Sequence, residues 1–187
     1  MARKKRSKRR LNKSEPYFIV EGYTEENYIK LLKNIYGKSA EIKNVRGGNA
    51  KGVIEKALQI IDQHIEYSDF IVWFDNDGLQ ESDEKILSEC KKKAKIVQSY
   101  PCIESWLLAH FATIYENQIN KSNCKCFENQ LKNFIKNYEK NNYEILKNNI
   151  NKEKINNAIE NYPKFTNNLE YILIYFFDLI YPLNNTC

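Results

Sequence analysis

Short apolar runs alternate with helical apolar stripes over the first hundred residues of the chain. The run YFIVEG at 17–22 ends in a glycine and predicts a short buried strand. The segment that follows places its apolar residues on one helical face, which predicts a helix with Thr24 as its N-cap and Gly37 as its stop. A strand followed by a helix therefore begins the fold.

The same alternation continues along the chain. Weaker alternation at 40–45 and apolar runs at 70–74 and 94–99 predict three further strands. Helical stripes predict one helix after the RGGNAKG loop and another at 81–92. Strands that alternate with helices indicate an α/β fold, here a Rossmann-like, mainly parallel four-stranded sheet flanked by helices on both faces.

Beyond this unit the pattern becomes helical only. Helical spacing begins at YPCIESWLLAHF, residues 117–168 are rich in Asn and Lys, and the apolar segment 168–181 predicts a buried final helix. We therefore expect a C-terminal helical appendage. The predicted parts are a basic arm at 1–13, an α/β domain at 14–116 and a helical C-terminal region at 117–187.

The positive charge of the chain is concentrated in the arm. Residues 1–13 hold eight of the 29 Lys and Arg residues and no acid, so 21 basic residues face 24 acidic ones in the remainder, which is near −3. The arm lacks the apolar face needed to fold alone and the apolar stretch of a secretory signal. We expect it to bind phosphates, with a solubilising tail as the alternative. The residues concerned are Arg3, Lys4, Lys5, Arg6, Lys8, Arg9 and Arg10.

Cysteine content and hydropathy indicate the cellular compartment in which the protein is expected. Five scattered cysteines are an odd number and favour reduced thiols over a disulfide framework or a zinc site. The most apolar window, 171–177, is followed by Asp178 and is too short to span a bilayer. We expect a soluble cytoplasmic protein with no membrane partner.

Acidic residues stand where two of the predicted strands end. Glu21 follows the first strand, and Asp75 and Asp77 follow the third. The carboxyl ends of parallel strands meet at one edge of a sheet, so we expect these side chains to converge. Three carboxylates predict a site for Mg²⁺ or Mn²⁺, which would take its other ligands from water and substrate phosphate. The alternative is a turn that caps the next helix.

Longer strings resemble known families. A Glu after the first strand and an Asp-x-Asp after a later one resemble the Toprim domain of topoisomerases, primases, OLD-type nucleases and recombination proteins. The basic N-terminus followed by FIVEGYTEENYIKLL, VWFDNDG and PCIESWLLAHF resembles the RloB-like family, Toprim-related proteins of bacterial restriction and abortive-infection loci. The similarity covers residues 3–111 and implies a Toprim-like fold for the α/β domain.

The resemblance also implies roles for individual acids. Glu21, Asp75 and Asp77 match the catalytic, metal-binding Toprim acids. Glu25 matches an acid that OLD-type nucleases use near a second metal, with a helix residue favoured by the dipole as the alternative. Glu104 lies in the family pattern PC-x-E-x-W-L-L-x-H-F, where it would join the metal cluster or occupy a helix N-terminus.

Basic residues near the predicted sheet edge are candidates to bind a phosphate. The RGGNAKG loop precedes a helix and offers Arg46 and Lys51, although a plain glycine-rich loop is the favoured interpretation. Lys43 is a third candidate, and the sequence does not distinguish among them. The loop lacks the order of an ATP-binding P-loop. His110 is expected to be a core or helix-surface residue rather than a catalytic base.

The acids and the resemblance together imply a Mg²⁺- or Mn²⁺-dependent nuclease of bacterial anti-phage defence. Its expected partner is nucleic acid, whether DNA, RNA or tRNA, and a separate ATPase partner and the oligomeric state are left open. The second hypothesis is a non-catalytic Toprim-like module that binds nucleic acid or a protein. A phosphatase of the haloacid-dehalogenase type ranks last, because that family carries its Asp pair after the first strand.

Overall fold

The computed structural model describes residues 13–76, 79–162, 172, 175 and 176. These residues contain a parallel four-stranded sheet with helices on both faces, which confirms the predicted α/β fold. The strands are β1 (Tyr17–Val20), β2 (Glu41–Asn44), β3 (Phe70–Asp75) and β4 (Lys95–Ser99). The helices are α1 (Tyr23–Tyr36), α2 (Ala50–Gln63), α3 (Glu84–Lys93), α4 (Ile103–Ala109), α5 (Glu116–Lys121), α6 (Cys124–Phe134), α7 (Tyr143–Asn149) and α8 (Lys152–Asn161).

The order of the strands creates a crevice at the carboxyl edge of the sheet. The order is β2-β1-β3-β4, and every neighbouring pair is parallel. The chain therefore runs from β1 to one edge, returns past β1, and continues on the other side. Open α/β sheets bind ligands where the order reverses in this way. Here that point lies between β1 and β3, where Val20 pairs with Trp73.

Alternating strand residues enter two separate apolar cores. Phe18 and Trp73 belong to a core that also contains residues of α1, α4 and the C-terminal helices. Ile19 and Val72 point to the opposite face and pack with residues of α2 and α3. Successive strand side chains point to opposite faces, so nearly continuous apolar strands are what a sheet covered on both sides requires.

The C-terminal helices pack against α4. Leu131 of α6 and Ala158 of α8 lie fully buried in the same core as Trp106. Helical structure is therefore confirmed for the described part of this region, while the division of the chain at residue 116 stays a prediction. The predicted final helix at 168–181 lies largely outside the described residues. Within that range the structure describes Ile172, Tyr175 and Phe176, and these three are helical.

Two helix starts differ from the sequence prediction. Gly22, not Thr24, is the N-cap of α1, and its N–H donates to the Glu25 carboxylate at 3.1 Å. Thr24 is buried in the first turn, where its hydroxyl donates to the Lys140 carbonyl at 3.5 Å. A distant segment thus satisfies the hydroxyl that would otherwise cap the helix. The helix predicted at 81–92 begins instead with a 3₁₀ turn at Glu81–Asp83.

The predicted stop of α1 is confirmed. Gly37 is its C-cap and has a φ of 64°, a left-handed conformation that glycine adopts without a steric penalty. Within the described residues, no helix is long and apolar enough to cross a membrane. The cysteines of that part of the chain are free thiols, namely Cys90, Cys102, Cys124 and Cys126.

Candidate functional site

Glu21 and Asp75 lie together at the reversal point of the sheet. Glu21 directly follows β1, and its backbone N–H continues the ladder by donating to the Trp73 carbonyl at 3.0 Å. Asp75 ends β3, and its N–H donates to Glu21 Oε2 at 3.0 Å. Asp75 Oδ1 in turn accepts from the Ile103 N–H, also at 3.0 Å, at the first turn of α4. The sheet edge and α4 therefore orient both carboxylates.

Two more acids, Glu25 and Glu104, lie close enough to this pair to act on the charge of Asp75. Glu25 is in the first turn of α1 and is only 4% exposed. Glu104 is in the first turn of α4 and is completely buried. Its Oε1 accepts from the Tyr138 hydroxyl at 3.2 Å and pairs with Lys140 Nζ at 3.0 Å, whereas its Oε2 is buried without a hydrogen-bond partner.

A cavity of about 330 Å³ opens at this edge of the sheet. Three of the predicted acids line it, and they come from β3, from the end of β1 and from α1. Two cations, Arg46 and Lys140, line it as well. The acids that line the cavity are Glu21, Glu25 and Asp75.

The acids disfavour one another's charge. Burial, together with the charges of Glu25, Glu104 and Glu21, raises the pKa of Asp75 from 3.8 to about 9. Burial, with the charges of Glu21 and Glu104, also raises the pKa of Glu25 to about 7. Like charges that share a poorly solvated site are relieved by a proton or by a cation. The cluster is thus suited to bind positive charge.

Lys140 is a residue of this site that the sequence analysis missed. Burial alone would lower the pKa of its ammonium, but the charge and hydrogen bond of Glu104 outweigh it, and the pKa is raised. Its backbone carbonyl also accepts from Thr24 and Asn27 of α1. Lys140 lies in the Asn/Lys-rich stretch, where no motif distinguishes it from its neighbours. Only the fold brings it to the acids.

The donor chemistry of the cluster fits a hard divalent cation, because carboxylate oxygens are the ligands such ions prefer. The buried, unpartnered Oε2 of Glu104 is the kind of oxygen that an ion would satisfy. Among the residues that the structure describes, however, no group of three or more His, Cys, Asp or Glu is arranged to hold a metal ion. Asp77, the second member of the predicted pair, lies outside the described residues.

The basic residues predicted to bind a phosphate lie in different places in the structure. Arg46 lines the acid cavity, and Lys43 lies in an adjoining groove that Arg46 also lines. Lys51 instead pairs with Asp83 at 3.2 Å and lines neither of these two cavities. The arm residues predicted to bind nucleic acid all precede Lys13 and lie outside the described residues.

His110 is a core residue of the kind expected. It is 1% exposed, and its Nδ1 lies 3.0 Å from the Trp106 carbonyl, which assigns the proton to Nδ1. Its Nε2 then accepts from the Tyr28 hydroxyl at 3.1 Å. Burial lowers the pKa of His110 to about 4, so the ring is neutral and structural near pH 7.

Comparison with known proteins places the chain in a family. No curated protein and no solved structure matches it. A family model described as RloB-like protein matches residues 17–172, which takes in the C-terminal helices as well as the motifs at the sheet edge. That match covers most of the chain, and it extends well past residue 111, where the recognisable motifs end. The chain therefore belongs to the RloB-like protein family.

Proposed function

We propose that this RloB-like protein is a Mg²⁺- or Mn²⁺-dependent nuclease that hydrolyses phosphodiester bonds. The observation that carries the proposal is the convergence of Glu21, Glu25 and Asp75 on one cavity at the reversal point of the sheet. These acids alone would repel a phosphodiester, since both are negative. A divalent cation held by them would offset two of these negative charges and provide a positive centre that phosphate oxygens can contact.

Each residue has a distinct task in this proposal. Glu21 and Asp75, with Asp77 from the sequence motif, would hold the cation, and Glu25 and Glu104 would extend the ligand set. A bound cation supplies neutralisation of phosphate charge and activation of a water nucleophile. The backbone N–H groups of Asp75 and Ile103 keep the carboxylates oriented before substrate arrives.

Two cations lie beside the acids and would act on the phosphate in this proposal. Arg46 and Lys140 line the same cavity as Asp75. Lys140 is engaged with Glu104, so its ammonium is held at a set position, whereas the Arg46 side chain is exposed. An arginine guanidinium can donate two hydrogen bonds to two oxygens of one phosphate. Arg46 is therefore the residue proposed to bind the substrate phosphate directly.

A thermal-shift and cleavage experiment on Asp75→Asn tests the proposal. The asparagine oxygen can still accept from the Ile103 N–H, so the variant should fold, but it removes an anionic ligand. We expect the variant to lose the stabilisation that Mn²⁺ gives the parent and to lose cleavage of DNA, RNA and tRNA substrates, while nucleic-acid binding persists.

Asp69→Asn is the matched control, because Asp69 directly precedes the same strand at its opposite end and pairs with Lys95 at 3.0 Å. It should respond to Mn²⁺ and cleave like the parent. Equal stabilisation of parent and Asp75→Asn by Mn²⁺, or cleavage by Asp75→Asn at the parental rate, would overturn the proposal. A parent that binds nucleic acid but cleaves no substrate with either metal would instead be a non-catalytic binding module.

Membership of the RloB-like family supports a role for this proposed nuclease in bacterial anti-phage defence, because that family is associated with restriction and abortive-infection loci. The corresponding measurement is phage plaquing on cells that express the parent, Asp75→Asn or Asp69→Asn from the native locus. Protection by the parent and by Asp69→Asn, but not by Asp75→Asn, is the expected result. Equal plaquing on all three would contradict the defence role.

A further inference from the structure

A second cavity adjoins the acid cavity and has the opposite charge. It measures about 560 Å³ and is lined by three cations, Lys43, Arg46 and Lys56. Tyr23 and Arg46 line both cavities. The two cavities therefore form one continuous surface, which leads from the acids at the sheet edge across the face of β2 and α2. We call the second cavity the basic groove.

The positive charge of the basic groove is not neutralised from within. One carboxylate, that of Glu26, lines it against the three cations. That carboxylate is already engaged, because Lys30 Nζ lies 2.6 Å from its Oε1 and the Asn44 amide donates to its Oε2 at 2.7 Å. The groove therefore presents a net positive surface beside the acid cavity.

Tyr23 places an aromatic ring at the junction of the two cavities. It is the first residue of α1, two positions after Glu21, and it is 50% exposed. Most other aromatic rings among the described residues are buried or partly buried, and Tyr28 and Trp73 are examples of fully buried ones. A half-exposed ring beside cations is the arrangement with which proteins stack a nucleic-acid base next to a bound backbone.

Arg46 is held at the same junction by an unusual backbone conformation. Its φ is 61°, in the left-handed region that residues other than glycine rarely adopt. Two hydrogen bonds maintain it: the Arg46 N–H donates to Asn44 Oδ1 at 2.7 Å, and the Gly47 N–H donates to the Glu21 carbonyl at 2.7 Å. Such backbone strain concentrates at ligand-binding sites. The loop thus ties Arg46 to the residue that carries the proposed metal-binding carboxylate.

From these observations we infer that the basic groove binds a single strand of nucleic acid, with Tyr23 stacked on a base and Arg46 on the phosphate next to the cleaved bond. The inference rests on the proposed nuclease function in one respect, namely that the bound strand would lead into the acid cavity. A single strand is favoured over a duplex because the bases of a duplex are stacked on one another and leave no face for Tyr23. The sugar is not specified by these contacts, so DNA and RNA strands share the recognised chemistry.

The test is equilibrium binding without metal, which separates binding from cleavage. Fluorescence anisotropy in EDTA would measure the binding of the full-length chain to labelled ten-nucleotide oligo-dU, to oligo-U and to a duplex of equal length. We expect the parent to bind the single strands more tightly than the duplex. Tyr23→Ala should weaken single-strand binding by roughly 10-fold, and Tyr23→Trp should retain it, because stacking needs only a ring.

Arg46→Asn tests the phosphate contact, because asparagine tolerates the left-handed backbone while it removes the charge. We expect weaker binding and a shallower dependence of affinity on salt, by the equivalent of about one phosphate contact. Tyr115→Ala is the aromatic control, since Tyr115 is 62% exposed and lines neither cavity. It should bind like the parent. Because oligo-dU and oligo-U carry the same base, the difference between their affinities identifies which sugar the groove prefers.

The outcomes separate this inference from the proposed function. Parental affinity in both Tyr23→Ala and Arg46→Asn, or tighter binding of the duplex than of the single strands, would overturn the groove assignment even if the protein cleaves nucleic acid. Loss of single-strand binding in these variants, in a parent that cleaves nothing with Mn²⁺, would uphold the groove and reject the nuclease.

Discussion

At the scale of single residues, Asp75 shows how the fold sets the chemistry of a carboxylate. An aspartate at a strand end is ordinarily ionised, but here burial and three neighbouring acids raise its pKa to about 9. Its Oδ1 nevertheless keeps one fixed hydrogen bond, from the Ile103 N–H. The side chain is thus held in place while its surroundings favour the neutral, protonated carboxyl over the carboxylate. A cation that enters the site would reverse this preference.

That pKa predicts how stability depends on pH without metal. The pKa of Asp75 is near 3.8 in the unfolded chain and about 9 in the folded one, so between these values the folded state holds a proton that the unfolded state has released. This contribution to stability is present at low pH and is lost as pH rises through about 9. We expect the melting temperature of Asp75→Asn relative to the parent to increase from about pH 5 to pH 9 in EDTA, because asparagine never acquires the charge.

Differential scanning fluorimetry at several pH values measures this difference. Asp69→Asn supplies the control, since Asp69 pairs with Lys95 at the far end of β3 and is not part of the acid cluster. Its melting temperature relative to the parent should change little over the same range. If the difference in melting temperature between Asp75→Asn and the parent does not change with pH, Asp75 is already ionised in the folded protein at pH 5.

At the scale of elements, the segment between α6 and α7 connects α1 to α4. The Lys140 carbonyl accepts from Asn27 of α1 at 3.3 Å, and Lys140 Nζ pairs with Glu104 of α4 at 3.0 Å. Tyr138 donates to the same glutamate. One short segment therefore joins the two helices whose first turns carry Glu25 and Glu104, and we expect it to stabilise the acid cluster through charge as well as packing.

A double-mutant cycle between Lys140 and Glu104 tests this coupling. Lys140→Met keeps the apolar stem but leaves the buried Glu104 without its cation, and we expect a loss of about 1 to 2 kcal/mol in the free energy of unfolding at pH 8. This is below the cost of breaking a fully buried pair, because the Lys140 side chain is 53% exposed and its charge is partly solvated.

Glu104→Gln should restore most of that stability in the double variant, since glutamine can still accept from the Tyr138 hydroxyl and carries no charge. Urea denaturation of the parent, both single variants and the double variant supplies the four free energies. Additive effects of the two substitutions would show that Lys140 and Glu104 are not energetically coupled.

At the scale of the whole molecule, one apolar core joins the sheet to the C-terminal helices. Trp73 of β3 and Trp106 of α4 belong to the same cluster as Phe127 and Leu131 of α6. All four side chains are at most 2% exposed. The face of α4 that α6 and α8 cover would be open to water if the chain ended before them, so the α/β part depends on residues beyond 116 to complete one of its two apolar cores.

Truncation tests that dependence and with it the predicted domain boundary. We expect residues 14–116 expressed alone to aggregate or to lack a cooperative thermal transition, because exposed Trp106 and Leu107 would form a large apolar patch. Circular dichroism with thermal melting, and gel filtration, are the measurements. Co-expression with residues 117–187 should recover a folded complex. A soluble, cooperatively melting fragment would instead establish 14–116 as an independent domain.

The sequence alone determined the features that depend on local pattern. Apolar runs between helical stripes specify a parallel sheet, because strand and helix periods differ and strands separated by helices pair in parallel. Gly37 specifies the end of α1, because only glycine enters the left-handed region without cost. Glu21 and Asp75 could be expected to meet, because parallel strands place their carboxyl ends at one edge.

Only the tertiary structure decided which distant groups complete the site. Thr24 and Lys140 are 116 positions apart, and their contact replaces the cap expected from the local sequence. Arg46 and Lys51 are equivalent as sequence candidates, yet one lines the acid cavity and the other pairs with Asp83. The raised pKa of Asp75 follows from burial and from charges on three other segments. Such properties depend on how elements pack against one another, and periodicity within an element carries no information about that packing.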